Sequence, residues 1–445
     1  MRFETISRRS ERGQTIILVA ISLISLLAMA ALAIDVVTLY TARSEIQRAA
    51  DAAALAGAKA VADSGVTTLP PGDRYLPEAI ALARSMASSA VSAMMNANPP
   101  INQVAGQPIT PSTSVTFPGT ANPTNSNPYV TVTLKVTTLP TFFARIWGNK
   151  AATVSATATA EAYNPANVQN FIPVAPKGVK PWLIANSDPN NGKAPFINTA
   201  TGVIEAGAVE VVGETLNLTA DCQSGLPNCQ LNLGHNPPTS GPNLTVDYVP
   251  ALVSPNAGSN VCPTVCGGAT PYEQSIECAD MTTSYQVLSC GGGTTNAQWD
   301  NTFNPGGPGG ISDTGTECLI NAVGAGRNRG QDDLDPLPWP SNPMQITAQS
   351  GPQKGSLVTT SPSIVTIPII DPTTFHATSP FQVTVVGFLQ AFIMEVHRNV
   401  PLAGDIEVTV LNVAGCGSAS TNLAANPIIG AAGTSPVPVR LITPP

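Results

Sequence analysis

Residues 15–34 read TIILVAISLISLLAMAALAI, and this stretch decides how the chain is organised. It begins at Thr15, ends at Ile34 and contains 20 consecutive uncharged residues. An α-helix rises about 1.5 Å per residue, so the stretch covers about 30 Å, the thickness of the hydrocarbon core of a bilayer. The sequence therefore predicts a single membrane-spanning helix near the start of the chain.

The residues before the span predict its direction. Residues 1–12 contain four arginines and two glutamates, and basic residues beside a first span tend to stay in the cytoplasm. We therefore expect residues 1–12 to be cytoplasmic and the chain after Asp35 to lie on the other side of the membrane. A cleaved signal peptide is the alternative, because Ala31-Leu32-Ala33 resembles a cleavage site, but the apolar run exceeds the about 7–15 residues usual for such a segment.

The helix is predicted to continue beyond the membrane, over residues 13–63. The segment after Asp35 is rich in helix formers and reaches Pro70 before its first proline. Small and apolar residues recur at spacings of three and four, which places them on one face. These residues are Ala42, Ile46, Ala49, Ala53, Gly57 and Ala60. The stripe predicts close packing, either against the chain's own sheet or against a partner helix.

Asp35 closes the apolar run. Acidic side chains within a membrane are costly and often functional. Because Asp35 directly follows the 20 uncharged residues, however, it lies at the outer edge of the span, where we expect it to be exposed to headgroups and water. A role in pairing with a partner is the alternative.

Residues 64–163 are predicted to form a second helix and a small antiparallel sheet. Pro77 suits the first turn of a helix that ends near Asn96. Residues 129–138 (YVTVTLKVTT) and 152–163 (ATVSATATAEAY) alternate as strands with one buried face do. Residues 113–117 are a shorter strand candidate, and TFFARIWG between the long strands predicts a helical turn. This arrangement resembles the general plan of pilin-like proteins.

Residues 164–180 are a Pro- and Asn-rich linker, and residues 181–445 are predicted to form a different, mostly β domain. Only 11% of the chain's residues are charged, and it contains 42 prolines and 37 glycines, which is typical of a loop-rich extracytoplasmic domain. Four apolar segments predict strands, several of them covered on both sides: residues 202–218, 363–371, 381–397 and 406–413. The predicted fold class is therefore α+β.

All eight cysteines lie in this second domain. They are Cys222, Cys229, Cys262, Cys266, Cys278, Cys290, Cys318 and Cys416. An even number confined to the side predicted to be oxidising indicates disulfides. Cys222 with Cys229 and Cys262 with Cys266 are plausible local pairs, and the pairing of the other four stays open.

The sequence offers little for catalysis or for metal binding. It contains no phosphate-binding loop, no GxSxG or HExxH motif and no Cys-x-x-Cys pair, and its three histidines have no identifiable partner. We therefore expect no catalytic residue, no cofactor and no bound metal. Asp332, Asp333 and Asp335 have the chemistry for calcium, but we interpret them as an acidic solvated loop. The net charge of −8 disfavours nucleic acid as a partner.

The N-terminal segment resembles the TadG-like family of the Tad apparatus, which assembles Flp-type pili in bacteria. The resemblance covers roughly residues 11–60. It rests on Arg12 and Gly13 before the apolar run, on Asp35 after it, and on the block QRAADAAALAGA at residues 47–58. Within that block the family positions are Gln47, Ala50, Asp51, Ala53, Leu55 and Gly57.

The resemblance implies a single-pass protein of the bacterial inner membrane, with its bulk periplasmic or surface-exposed, that assists pilus assembly. Its implied partners are the membrane, other Tad proteins and pilins. The metal-binding Asp-x-Ser-x-Ser loop of family members with a von Willebrand type A domain is absent, since residues 313–316 read DTGT. Residues 271–280, 304–320, 387–396 and 411–417 resemble, more faintly, the C-terminal region of long proteins of this type.

Two alternatives remain. A prepilin would be cleaved after a glycine such as Gly13, but Leu18 stands where prepilins carry a glutamate. In function, the alternative to a non-enzymatic assembly component is an anchored adhesin that binds a carbohydrate or another surface. We expect no small-molecule ligand for the assembly component.

Overall fold

A computed structural model of the chain describes most of its residues. The described residues are 9–70, 72–97, 101–117, 127–148, 150–168, 174–192, 194–200, 202, 204–205, 211–220, 244–253, 270–278, 297–300, 310–322, 329–335, 339–376, 379–397, 405–416, 428–429 and 435–443.

One helix dominates the N-terminal part. Helix α1 comprises Arg9–Asp63 and has 55 residues, which corresponds to a rod of about 80 Å. The predicted continuous helix is thus confirmed. The chain turns directly after it at Gly65, whose φ of 76° favours glycine, and a 3₁₀ turn over Val66–Thr68 follows.

The outer half of α1 packs against a second helix and a sheet. Helix α2 comprises Leu76–Met95, close to the predicted bounds. The first strands are β1 (Gln103–Val104), β2 (Gln107–Pro108), β3 (Thr110–Thr116), β4 (Tyr129–Pro140) and β5 (Ala151–Ala162). β3, β4 and β5 form an antiparallel sheet. The alternation predicted for residues 129–138 is confirmed, because Val130, Val132, Leu134 and Val136 are buried whereas their polar neighbours are more exposed.

The remaining elements, apart from the last strand β18 (Val439–Ile442), belong to the mostly β part. Its strands are β6 (Val174–Ala175), β7 (Trp182–Ala185), β8 (Thr215–Ala220), β9 (Leu244–Pro250), β10 (Ala297–Gln298), β11 (Asp332–Asp335), β12 (Gln345–Ala348), β13 (Leu357–Val358), β14 (Ile364–Asp371), β15 (Gln382–His397), β16 (Asp405–Ala414) and β17 (Ile428–Ile429). Its helices are α3 (Pro271–Glu277) and α4 (Ile311–Leu319), and short 3₁₀ turns cover Pro165–Asn167, Pro189–Asn191 and Pro372–Thr374.

Six of these strands close into a ring. The strand order is β15, β14, β7, β9, β8 and β16, and β16 pairs again with β15. The predicted strands at residues 363–371, 381–397 and 406–413 are confirmed as β14, β15 and β16. The strand predicted at residues 202–218 is wrong in part, since the described strand there begins at Thr215.

The last strand of the chain lies in the first sheet. β18 pairs antiparallel with β5, and the Arg440 guanidinium donates to the Glu161 carboxylate at 2.9 Å. The chain therefore returns to the sheet beside α1 after forming the ring of strands. The predicted division at residues 164–180 stays a prediction.

The aspartates at residues 332–335 form a strand, so the predicted acidic loop is wrong. β11 pairs with β12, and β12 pairs with β13. Asp332 is buried and accepts a hydrogen bond from the Ser361 hydroxyl at 2.6 Å. Because side chains alternate along a strand, Asp333 and Asp335 point to the opposite, exposed face. The three carboxylates therefore do not converge on one point.

Candidate functional site

The candidate site is the point at which α1 changes from an exposed helix to a buried one. Its large apolar side chains from Ile16 to Ile34 are about half exposed or more, whereas Asp35 is only 4% exposed. Beyond Asp35 the buried positions begin with Ala42 and Ile46. One described helix, at Gln14–Asp63, is long and apolar enough to cross a membrane, and its most apolar window is not covered by the rest of the chain.

The Asp35 carboxylate is the polar centre of this junction. Its Oδ1 accepts a hydrogen bond from the backbone N–H of Phe142 at 2.9 Å. Its Oδ2 accepts from the N–H groups of Phe143 at 3.0 Å and Ala144 at 2.7 Å. Asp35 thus caps, from outside, the 3₁₀ turn Ala144–Trp147, whose own N-cap residue provides no side-chain hydrogen bond.

The charge state of Asp35 follows from these bonds. Burial raises the pKa of its carboxyl, but the N–H groups of Ala144, Phe142 and Phe143 favour the anion more strongly, so the pKa lies below its ordinary value. Asp35 is therefore an anion bound within the chain. The expectation of an aspartate exposed to headgroups and water is wrong, since the β4–β5 connection covers it. The hydrophobic turn TFFARIWG without a capping residue of its own was the sequence signal for this contact.

The small-residue stripe packs inside the chain. Ala42, Ile46, Ala49 and Ala53 are buried in one cluster with residues of α2, β4 and β5. Packing against the chain's own sheet, one of the two predicted alternatives, is therefore confirmed for the outer half of α1. Any contact that α1 makes with another helix has to use a different part of it.

The block at residues 47–58 accounts for this packing in detail. Ala50 and Ala53 are fully buried, and Leu55 is partly buried against the same cluster. The Gln47 amide donates to the Asp51 carboxylate at 2.8 Å and contacts the Thr157 carbonyl oxygen of β5 at 3.4 Å.

Gly57 is the point of closest approach. A Cβ placed there would lie 2.9 Å from Cγ1 of Val130 on β4 and 3.2 Å from Cγ2 of Val91 on α2. Arg12 and Gly13, the first residues of the family pattern, lie at the start of α1. The surroundings of their side chains are outside what the structure describes.

A buried hydrogen-bond network, which sequence reasoning missed, holds the far end of α1. The Asn412 side chain on β16 donates to the Ala62 carbonyl oxygen at 2.6 Å and accepts from the Thr68 hydroxyl at 2.5 Å. The Asn164 amide donates to the carbonyl oxygens of Val413 and Thr67. These contacts connect α1 to the ring of strands through fully paired buried groups.

Further polar side chains lie close together elsewhere in the described part of the chain. No group of three or more His, Cys, Asp or Glu side chains there converges as metal ligands do. His397 Nε2 lies 2.9 Å from Glu407 Oε2 across neighbouring strands, so the expectation that the histidines have no partner is wrong for His397. His235 lies outside the described residues.

Glu214 and Asp188 are buried acids of the mostly β part. Burial raises the pKa of Glu214 to about 9, with a further contribution from the charge of Asp188. Burial also raises the pKa of Asp188, against the hydrogen bonds from Asn190 and Asn191. Glu214 is therefore a neutral acid at pH 7.

Three of the eight cysteines are described, namely Cys278, Cys318 and Cys416. None of these three is a free thiol. The remaining cysteines, including both predicted local pairs, lie outside the described residues. The disulfide pairing therefore stays a prediction.

Comparison with known proteins identifies one segment. The family model Tad, described as "Putative Flp pilus-assembly TadE/G-like", matches residues 13–60. No curated protein and no solved structure matches the chain. The matched segment covers the apolar half of α1, Asp35, the small-residue stripe and Gly57, which are the features that form the junction. Residues 13–60 of this chain are thus similar to the TadE/G-like Flp pilus-assembly segment that this family model describes.

Proposed function

We propose that the chain is a non-enzymatic, membrane-anchored component of Tad/Flp pilus assembly. Residues 1–12 lie in the cytoplasm, residues 15–34 cross the inner membrane once, and the rest of the chain lies outside it. The span docks with helices of other Tad proteins or pilins, and the outer part makes protein contacts beyond the membrane.

The observation that carries this proposal is the division of α1 at Asp35. The small-residue stripe beyond Asp35 is occupied by the chain's own sheet, whereas the apolar half before it is exposed. Exposed apolar side chains over this length are stable only in lipid or against other apolar surfaces. Hydroxyl groups within the span are also paired in the helix itself, since Ser22 donates to the Val19 carbonyl oxygen and Ser25 to that of Ile21.

We further propose that the cysteines form disulfides in an oxidising compartment. The chain has an even number of cysteines, and the three described ones are not free thiols. Thiol counting in denaturant without reductant tests this. We expect almost no reactive thiol in the exported protein, and eight reactive thiols would contradict the proposal.

Localisation is tested by cell fractionation. We expect the intact chain to stay in the membrane pellet after alkaline carbonate extraction, and protease added to spheroplasts to degrade the part after residue 35. A chain that is released by carbonate, or that is shortened at its N-terminus to begin after residue 33, would contradict the anchor. A mature chain that begins at Gln14 would instead indicate prepilin-type processing.

The assembly role is tested by a deletion that is complemented with two versions of the gene. We expect loss of Flp pili in the deletion strain and their recovery with the wild-type gene. In the second version, residues 15–34 are exchanged for an unrelated apolar span of equal length, which retains the anchor but changes the helix surface. If this version restores pili fully, docking through the span is wrong. If the deletion strain keeps its pili but loses attachment to surfaces, the adhesin is the better interpretation.

A further inference from the structure

The connection between β4 and β5 presents an aromatic side chain to the surroundings beside the apolar span. Phe142 is 61% exposed, although large apolar side chains of folded domains are usually buried. The next charged side chains along the connection, Arg145 and Lys150, are also exposed. We call residues 141–145 the foot loop.

The position of the foot loop along α1 is fixed by Asp35. The Phe142 N–H lies 2.9 Å from the Asp35 carboxylate, and Asp35 follows directly on the apolar run. Exposed apolar side chains of α1 continue past this level at Val36, Val37 and Tyr40. Tyr40 lies five residues beyond Asp35, about 7.5 Å along the helix axis. The foot loop is therefore held within about 7.5 Å of the outer end of the exposed apolar surface of α1.

The chemistry of the foot loop fits the boundary between hydrocarbon and headgroups. Phe, like Trp and Leu, occurs on the apolar face of segments that lie in this boundary, and basic side chains next to it attract anionic headgroups. The Asp35 carboxylate does not oppose this, because three N–H groups bind it and the loop covers it. A membrane surface therefore meets the exposed ring of Phe142 and the cation of Arg145 here.

We propose that the foot loop lies in the outer interface of the membrane, with the Phe142 ring among the lipid headgroups and upper acyl chains. This inference rests on the proposed function, because it requires α1 to span the membrane. A body held by one helix rotates and tilts freely, whereas a second contact fixes its orientation. The foot loop would thus set the direction in which the sheet and the ring of strands face their partners.

The test places a fluorescent reporter in the foot loop of the full chain. Phe142→Trp is reconstituted into vesicles of phosphatidylethanolamine and phosphatidylglycerol, with or without lipids brominated near the headgroup end of their chains. Leu357→Trp, an exposed apolar position in β13, is the matched control. Both positions are exposed, so neither substitution is expected to disturb the fold.

We expect brominated lipid to quench the fluorescence that Trp adds at position 142 and to leave the fluorescence added at position 357 unchanged. Flotation of the vesicles first shows whether the chain is inserted. If the protein floats with the vesicles and position 142 is not quenched, the foot loop faces water or a protein, and the inference is wrong. If the protein does not float, the proposed anchor fails, and the inference fails with it.

Discussion

Gly57 offers the sharpest test of how α1 is used. It lies between β4 and α2, where an added Cβ would be 2.9 Å from Cγ1 of Val130 and 3.2 Å from Cγ2 of Val91. Both neighbours are β-branched, so their methyl groups cannot rotate away freely. The substitution Gly57→Leu adds four carbon atoms to this contact. The helix then has to move away from the sheet or the valines have to leave their preferred rotamers.

The magnitude follows from two opposing terms. Leucine stabilises a helix interior by almost 1 kcal/mol relative to glycine. Overpacking of a dense core typically costs about 1–3 kcal/mol and occasionally more, and four added carbons belong at the upper end of that range. We therefore expect Gly57→Leu to lower the free energy of unfolding by about 2 kcal/mol or more. For a cooperative unit of about 150–250 residues, a loss of about 2 kcal/mol corresponds to a fall in melting temperature of about 4–8 °C.

The assay is thermal unfolding of the full chain in detergent micelles, followed by helical circular dichroism. Ser44→Leu is the control, because Ser44 lies on the exposed face of the same helix and receives the same side chain. A melting temperature of Gly57→Leu equal to that of the control would refute internal packing at this position. If pilus assembly were lost without any change in stability, the stripe would act on a partner instead.

Three further substitutions test other parts of the chain by unfolding of the full protein. Asn412→Ala removes the donor to the buried Ala62 carbonyl oxygen and should cost about 1–3 kcal/mol; an unchanged stability would contradict the network. Gly387→Ala places a Cβ 2.5 Å from the Ala414 carbonyl oxygen, so we expect a loss of about 3 kcal/mol or no folded protein, and normal folding would show that the approach is looser. Burial raises the pKa of Glu214 from 4.5 to about 9. Between these two pH values the folded chain keeps a proton that the unfolded chain releases. The free energy of unfolding therefore falls as the pH rises from about 4.5 to about 9, by at most about 1.4 kcal/mol per pH unit. Glu214→Gln should remove this dependence of stability on pH, measured by denaturant titrations at several pH values. The same pH dependence in the variant and in the wild-type chain would refute the raised pKa of Glu214.

The sequence predicted the parts of the fold that periodicity controls. The long helix, the second helix and the alternating strands β4 and β5 each depend on contacts between near neighbours in sequence, and each was located to within a few residues. The small-residue stripe also identified the buried face of α1, because only small side chains allow a helix to approach a sheet closely. Family resemblance then indicated the same segment that the family model matches.

The remainder depends on contacts between distant residues, which a single sequence does not specify. Asp35 accepts a hydrogen bond from the N–H group of Phe142, 107 positions further along the chain. An aspartate at the end of an apolar run does not by itself indicate such a distant partner. The pairing of β18 with β5 and the closure of β16 onto β15 are equally non-local. Position in the chain suggested that the last residues belong to the second domain, whereas hydrogen bonding places β18 in the first sheet.

The pairing of polar groups along α1 limits how the helix can recognise a partner. Near the outer end of the span, the Thr38 hydroxyl donates to the Ile34 carbonyl oxygen and the Thr41 hydroxyl to that of Val37, as the two serines do within it. Asp35 is occupied by the foot loop, and the far end of α1 is occupied by Asn412. None of these groups needs a partner helix to be satisfied. The specific docking that we propose for the span therefore has to come from the shape of the apolar side chains at residues 15–34. On that proposal, a span of equal length and hydropathy but different shape should anchor the chain and still fail in assembly.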